Sequence, residues 1–215
     1  MPVRLRWQSE CIATNLFGSQ MAKFTFPKLR SYRKILILPV TAFVLAAGSY
    51  YSYLAATDNF HAVIPGEVYR SSQPSAKSIA NFEQEYGIKT ILNLRGVSDD
   101  KAWYAAEVAQ AKALNITHID FGISAAKELT PEKAEALIEI MRNAPKPILI
   151  HCRSGADRTG LAAALYLAAI AKANERTAEG QMSIFYGHIS LPISRAFAMD
   201  RTFEKMEPLF GFAES

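Results

Sequence analysis

Residues 147–160 read PILIHCRSGADRTG, which is an apolar run, a polar turn and the start of an apolar helix. The run PILI has the length and composition of a strand that is covered on both faces. Residues 159–171 are apolar almost all round but too short to span a membrane, which predicts a buried helix. A buried strand that leads into a buried helix is typical of a layered α/β fold with a parallel sheet.

Strand and helix signals alternate through the rest of the chain after residue 57. Short apolar runs predict strands, and capping residues at Ser98 and Thr130 predict helix starts. The predicted segments are strands at 89–94 and 116–123 and helices at 75–86, 98–114, 130–143, 176–184 and 194–206. We therefore predict one α/β domain over residues 58–215, with a parallel-type central sheet flanked by helices.

Residues 35–56 carry no charged side chain, and basic residues cluster immediately before them. A helix needs about 20 apolar residues to cross a bilayer. We predict a basic N-terminal segment at 1–34 and a transmembrane signal anchor at 35–57. The positive flank should stay in the cytoplasm, which places the α/β domain on the periplasmic or extracytoplasmic side.

A cleaved signal peptide is the alternative to an anchor. Ala46, Ala47 and Gly48 form a small-residue cleavage site, and the domain would then be secreted. The segment that starts at Met21 has the character of an ordinary signal n-region. Translation therefore begins either at Met1 or at Met21.

The net charge of +4 belongs to the N-terminal segment, because residues 1–56 carry +6 and the remainder carries −2. This distribution leaves no basic face that would follow a phosphate backbone, so we expect no nucleic-acid partner. The two cysteines, Cys11 and Cys152, lie far apart and offer neither a disulfide framework nor the spacing of a zinc site. We expect no metal and no cofactor.

The turn between strand and helix contains Cys152 and, after five residues, Arg158. A strand-to-helix turn directs backbone N–H groups at one point, where the helix dipole adds partial positive charge. Gly155 lets such a turn curl, and the guanidinium of Arg158 can hold two phosphate oxygens. We predict a phosphate cradle whose substrate-binding residues are Arg153, Ser154, Gly155 and Ala156.

The same positive environment favours the thiolate of Cys152, which makes it a candidate nucleophile towards phosphorus. Attack would give a phosphocysteine intermediate. Thr159 can donate a hydrogen bond to the sulfur as it leaves. His151 is either a residue that fixes the loop and the thiolate or a satisfied core histidine.

These residues resemble the signature of the cysteine-dependent protein tyrosine phosphatase superfamily, and most nearly its dual-specificity-like and bacterial tyrosine-phosphatase-like branch. The signature His-Cys-x5-Arg-Thr is matched by His151, Cys152, Arg158 and Thr159. Residues 66–75 and 87–96 resemble the entry segments of the family. The resemblance covers about residues 60–185 and implies a parallel-sheet α/β fold and metal-free hydrolysis of phosphate monoesters.

Two further arginines, Arg70 and Arg95, resemble recurrent arginines of this branch, which either line the pocket or brace it. The resemblance also implies an aspartate as general acid on the loop before the third predicted helix. Residues 122–129 contain no aspartate. Asp157 is therefore the first candidate, because some relatives with a similar GxDRT sequence use this position. The other candidates are Asp120 and Glu128.

The resemblance implies a protein tyrosine or dual-specificity phosphatase that acts on phosphorylated proteins. A phosphoinositide or phospholipid phosphatase is the alternative, since the predicted membrane helix raises the lipid option. A phospho-ligand binding module is an alternative of another class, against which the intact Cys152 and Arg158 argue. Sulfur transfer of the rhodanese type also uses a cysteine at such a turn, but the spacing to Arg158 suits phosphate better.

Overall fold

A computed structural model describes residues 29–212, and the chain divides into two compact units, 1–44 and 45–215. Most of the predicted basic segment and Met21 lie outside the described residues. The first helix, α1, spans Leu29–Ala56 and so begins earlier than the predicted anchor. Its part Ile37–Ala56 is long and apolar enough to cross a membrane, a property that signal sequences share.

The second unit contains a central five-stranded sheet, which confirms the predicted α/β class. The strand order is β1-β2-β5-β3-β4, with β1 antiparallel to β2 and the other neighbours parallel. The strands are β1 His61–Ile64, β2 Val68–Ser71, β3 Thr90–Asn93, β4 Thr117–Asp120 and β5 Ile148–His151.

Helices flank this sheet. They are α2 Ala76–Tyr86, α3 Ala102–Ala113, α4 Pro131–Asn143, α5 Asp157–Ala169, α6 Glu175–Glu179 and α7 Ala198–Phe210, with 3₁₀ turns at Ile184–Tyr186 and Arg195–Phe197. Thr130 caps α4 as predicted, since its hydroxyl accepts from the Lys133 amide at 3.3 Å. The predicted start of α3 at Ser98 is wrong. The Ser98 carbonyl accepts from the Lys101 amide in a turn, and the helix begins at Ala102.

The centre of the sheet leads into the most buried helix. β5 lies between β2 and β3, and His151 at its end pairs in register with Ser71 and Asn93. Helix α5 follows after five residues and is buried from Thr159 to Ala169. Burial of large apolar side chains stabilises a fold by about 1.5–3 kcal/mol each, so both sides of the intervening loop are firmly anchored.

Candidate active site

The loop 152–156 joins β5 to α5 and begins with Cys152, which is only 1% exposed. Gly155 has φ +71°, a left-handed conformation that side chains disfavour. A Cβ atom at this position would lie 2.7 Å from the carbonyl carbon of Ser71 and the amide nitrogen of Ser72. Gly155 is therefore required both by its conformation and by the close approach of the strand end β2.

The backbone amides of this loop are free donors. Among the described residues, the amides of residues 153–156 have no acceptor within the protein. Free amides at a helix start, together with the helix dipole, form a site for an anion. The sequence-predicted cradle of Arg153, Ser154, Gly155 and Ala156 thus has the donors that a phosphate group needs.

Arg70 braces the loop from the protein interior. Its guanidinium is fully buried and donates to the carbonyl oxygen of Gly155 at 2.8 Å and to that of Gln181 at 2.7 Å. It also stacks on the ring of Tyr186, 3.7 Å from the centroid. Burial lowers the pKa of Arg70 to about 10, which still leaves it charged at neutral pH. Of the two interpretations of Arg70, these contacts favour the brace.

Asn59 and Gln73 hold the outer edge of the loop. Nδ2 of Asn59 donates to the carbonyl of Ser154 at 3.0 Å and to that of Tyr186 at 2.9 Å. The backbone amide of Gln73 donates to the carbonyl of Arg153 at 3.3 Å. Sequence reasoning missed both residues, since an isolated Asn or Gln carries no signal of its long-range partner.

Glu107 anchors His151. Its Oε1 lies 3.2 Å from Nε2 of His151 and 2.8 Å from Nε2 of His118, and its other oxygen accepts from Gln73. Burial would raise the pKa of Glu107, but these hydrogen bonds outweigh it and lower the pKa to about 2. Nδ1 of His151 is 3.4 Å from the carbonyl oxygen of Cys152. His151 therefore links the buried carboxylate to the backbone of the candidate nucleophile.

Two arginines stand at the other side of the loop. Nη1 of Arg158 donates to the carbonyls of Leu94 at 3.2 Å and Ile123 at 3.3 Å, so it ties α5 to the segments after β3 and β4. Arg95 stacks on Trp103 at 3.5 Å. Burial lowers the pKa of Arg95, and the nearby charges of Arg158 and Arg153 lower it further. The charge of Arg95 also interacts with Cys152, which gives the cysteine a positive neighbour.

Thr159 lies in the first turn of α5 and is fully buried. Its hydroxyl oxygen has no hydrogen-bond partner in the part of the chain that the structure describes. An unpartnered buried hydroxyl normally costs about 1–3 kcal/mol. A hydroxyl that is held free beside the cysteine loop is consistent with the predicted donation to sulfur.

The three acid candidates have different surroundings. Asp157 is the first residue of α5, and its half-buried side chain meets Nδ1 of His188 at 2.8 Å. Asp120 accepts from Nδ2 of Asn93 at 2.8 Å and from the hydroxyl of Tyr104 at 2.6 Å. Glu128 forms ion pairs with Arg201 and Lys205 of α7.

A cleft of about 360 Å³ opens beside the loop. Its lining includes loop residues, Gln73, the end of α1, Tyr186 and Gly187. The α1 residues in this lining are Tyr51, Leu54 and Ala55.

Residues 57–210 match the family model PTP-SAK, described as "Swiss Army Knife protein, DSP-PTPase phosphatase domain". Over 101 residues the chain is 31% identical to the dual specificity protein phosphatase TpbA of Pseudomonas aeruginosa, strains UCBPP-PA14 and PAO1. This stretch is 46% of the chain and 42% of TpbA, so the chain matches less than half the length of that relative.

Two kinds of solved structure share the fold. The crystal structure of P. aeruginosa TpbA has a TM-score of 0.52 and 24% identity, covering 68% of this chain and 85% of TpbA. The core catalytic domain of the PP-IP phosphatase SIW14 from S. cerevisiae, in complex with citrate, has a TM-score of 0.54 and 23% identity. This match covers 67% of this chain and 83% of the SIW14 chain. The chain belongs to the PTP-SAK family of dual-specificity-type phosphatase domains, within the cysteine-dependent protein tyrosine phosphatase superfamily.

Proposed function

We propose that the chain hydrolyses phosphate monoesters through a phosphocysteine intermediate on Cys152. The observation that carries this proposal is the cysteine at the base of a loop whose amides at 153–156 have no acceptor among the described residues. In this proposal the amides bind the phosphate oxygens and the guanidinium of Arg158, at the start of α5, binds the same group. Phosphorus then lies in front of the sulfur.

The reaction proceeds in two steps. The thiolate of Cys152 attacks phosphorus, and the bond from phosphorus to the ester oxygen breaks as that oxygen takes a proton from Asp157. Water then attacks the phosphocysteine, phosphate leaves, and the displaced thiolate is stabilised by the hydroxyl of Thr159. Asp157 takes back a proton from the attacking water, so the enzyme returns to its starting state.

The preferred substrate class is phosphorylated protein, with phosphotyrosine first. The similarity to TpbA supports this, because one TpbA structure is of a cysteine-to-serine variant in complex with phosphotyrosine. A cleft beside the loop suits an aryl ester, since Gln73 and Tyr186 line it and can pack against a ring.

A phosphoinositide or phospholipid phosphatase is the second candidate. Tyr51, Leu54 and Ala55, near the end of the apolar helix α1, form one wall of the cleft. If α1 is a membrane anchor, the cleft lies close to the bilayer surface and its phosphorylated headgroups. In this proposal the chain is a single-pass membrane protein with its phosphatase domain on the extracytoplasmic side.

The activity is tested with the full-length chain in detergent, a reducing agent and EDTA. Turnover of an aryl phosphate by the wild type and its loss in Cys152→Ser would support the proposal. Turnover that survives Cys152→Ser would refute the mechanism. Wild-type protein that binds phosphotyrosine peptide without turning it over would instead identify a binding module.

The substrate class is tested by a pair of variants. Tyr51→Ala changes an exposed residue of the cleft wall, and Tyr53→Ala changes an exposed residue of the same helix that is not part of that wall. Both are assayed with a phosphotyrosine peptide and with phosphoinositide in vesicles. A phosphoinositide-specific loss in Tyr51→Ala alone would favour the lipid substrate, and a preference for the peptide in all proteins would favour phosphotyrosine.

A further inference from the structure

His188 lies between two carboxylates behind the cysteine loop. Its Nδ1 is 2.8 Å from Oδ1 of Asp157, and its Nε2 is 3.0 Å from Oδ2 of Asp200. Asp200 also accepts from the hydroxyl of Ser190 at 2.7 Å. His188 is only 1% exposed, so both ring nitrogens are occupied by partners within the protein.

This arrangement suits a doubly protonated imidazole, which donates from both nitrogens to two acceptors. Burial lowers the pKa of His188, but the hydrogen bond with Asp157 and the charge of Asp200 outweigh it and raise the pKa above its ordinary value. These two carboxylates, from α5 and α7, are the charged groups that act on the ring. Glu179 of α6 and Glu204 of α7 lie further out, in a cavity that Asp200 also lines.

Asp157 needs a source for the proton that it delivers. A free carboxyl group is ionised at neutral pH, so a carboxylate that is to act as an acid gains from a proton held within reach. Nδ1 of His188 is in direct hydrogen-bond contact with the candidate acid, so a proton held there is within reach of Asp157. Nδ1 of His118 lies 3.7 Å from Asp120, which is an ion-pair contact beyond hydrogen-bond distance, and the partners of Glu128 are a lysine and an arginine.

We propose that His188 is a positioning residue that stores the proton delivered by Asp157, and that Asp200 holds the imidazolium in place. This inference rests on the proposed phosphatase activity. His188 lies in the loop after the 3₁₀ turn Ile184–Tyr186, so in this proposal that loop takes part in the reaction at Cys152. The proposal also gives the site an acid and a proton source although residues 122–129 contain no aspartate.

The proton balance closes over one turnover. In the first step the ester oxygen takes a proton from Asp157 as the phosphorus–oxygen bond breaks and the sulfur–phosphorus bond forms. Nδ1 of His188 passes its proton to Asp157 and the ring becomes neutral, with the proton on Nε2 still facing Asp200. In the second step water attacks phosphorus, the sulfur–phosphorus bond breaks, and one water proton returns through Asp157 to His188.

A second cavity lies beside Asp200, the residue on the far side of His188 from Asp157. It has a volume of about 230 Å³ and is lined by Asp200, Ser190, Glu179 and Glu204 among others. It shares no lining residue with the cleft beside the cysteine loop. Asp200 is the residue of this cavity that contacts the ring of His188.

The first test compares leaving groups. The full-length chain and its His188→Gln variant are assayed with phenyl phosphate, whose phenol is a poor leaving group, and with an aryl phosphate of a strongly acidic phenol. The proposal predicts that His188→Gln loses at least about tenfold more kcat on the poor leaving group than on the good one. An equal loss on both substrates means that His188 only supports the fold, and it overturns the proposal.

His118→Gln is the matched control, because His118 also joins two carboxylates, Glu107 and Asp120. Any loss in this variant should be equal for the two substrates. A selective loss in His118→Gln without one in His188→Gln would transfer the role to Asp120 and overturn the proposal. Absence of wild-type turnover, or turnover that survives Cys152→Ser, refutes the proposed function itself.

A titration decides the inference independently of turnover and of the folding of His188 variants. The imidazole ¹⁵N shifts of His188 are followed with pH in the wild type, Asp157→Asn and Asp200→Asn. We predict that the wild-type ring stays doubly protonated to higher pH than a free histidine, and that each variant lowers the midpoint. A wild-type midpoint at or below that of a free histidine, or one that neither variant moves, overturns the proposal.

Discussion

Oε1 of Glu107 lies 3.2 Å from Nε2 of His151, and both side chains are fully buried. The residues are 44 positions apart in the chain, and their contact joins α3 to the end of β5, where the cysteine loop begins. A buried charge is tolerated only with such partners. This pair therefore connects the stability of the domain to the geometry of its candidate nucleophile.

Removal of the carboxylate should destabilise the protein. We expect Glu107→Ala to lower the free energy of unfolding by about 3–5 kcal/mol, because His151 and His118 both lose a buried partner. Denaturant unfolding measures the loss. Glu135→Ala, at an exposed glutamate of α4, is the control and should change it by less than about 0.5 kcal/mol. A similar small effect in Glu107→Ala would contradict the account.

Acid should weaken the fold through the same residue. The pKa of Glu107 is about 2 in the folded protein and 4.5 as its ordinary value, so folding favours the ionised form. The stabilising contribution is complete above the unfolded pKa and is lost as pH falls through the folded pKa. Between about pH 5 and about pH 2.5, the stability of the wild type should fall more steeply than that of Glu107→Gln. Parallel curves of stability against pH for the wild type and Glu107→Gln would show that Glu107 has the same pKa in the folded and unfolded states.

Gly155 should be far less replaceable than another glycine of similar conformation. Both Gly155 and Gly66 have positive φ, at +71° and +77°, but a Cβ at Gly66 meets nothing within 4 Å. Gly66→Ala should therefore cost only the left-handed strain of about 1–2 kcal/mol. Gly155→Ala adds a clash with the end of β2 and should lose more stability and most turnover. Equal losses of unfolding free energy would show that the close approach is unimportant.

The strand-to-helix junction could be predicted because its signals are local. An apolar run, a turn with Gly155 and an apolar helix follow one another within residues 147–171, and each has a residue pattern typical of its structure. The boundaries of α3 were less predictable. Ser98 and the acidic residues after it are typical of a helix start. In the structure residues 98–101 form a turn instead, and the helix begins at Ala102.

The supporting residues of the site could not be read from the sequence. A glutamate in a helix is usually exposed, and the sequence does not show that Glu107 is buried against His151. His188 and Asp200 lie in segments with no motif, and they meet Asp157 through contacts between separate elements. Long-range partners of single polar residues leave no periodic pattern that a sequence can show.

The identity of the acid is open to a direct comparison. Asp157→Asn should lower kcat by about 10²–10⁴-fold on a substrate with a poor leaving group and much less on one with a good leaving group. Glu128→Gln should show no such selectivity, because Glu128 is paired with Arg201 and Lys205. Asp120→Asn should likewise affect both substrates equally. Selectivity in Asp120→Asn instead of Asp157→Asn would reassign the acid.

The central claim is that phosphate passes through the sulfur of Cys152. The most direct measurement is mass spectrometry of the full-length chain after rapid acid quenching during turnover of an aryl phosphate. The account predicts one phosphoryl group on the peptide that contains Cys152, and none on that peptide in Cys152→Ser. Continued turnover with no phosphoryl group on Cys152, or with the group on another residue, would contradict the mechanism.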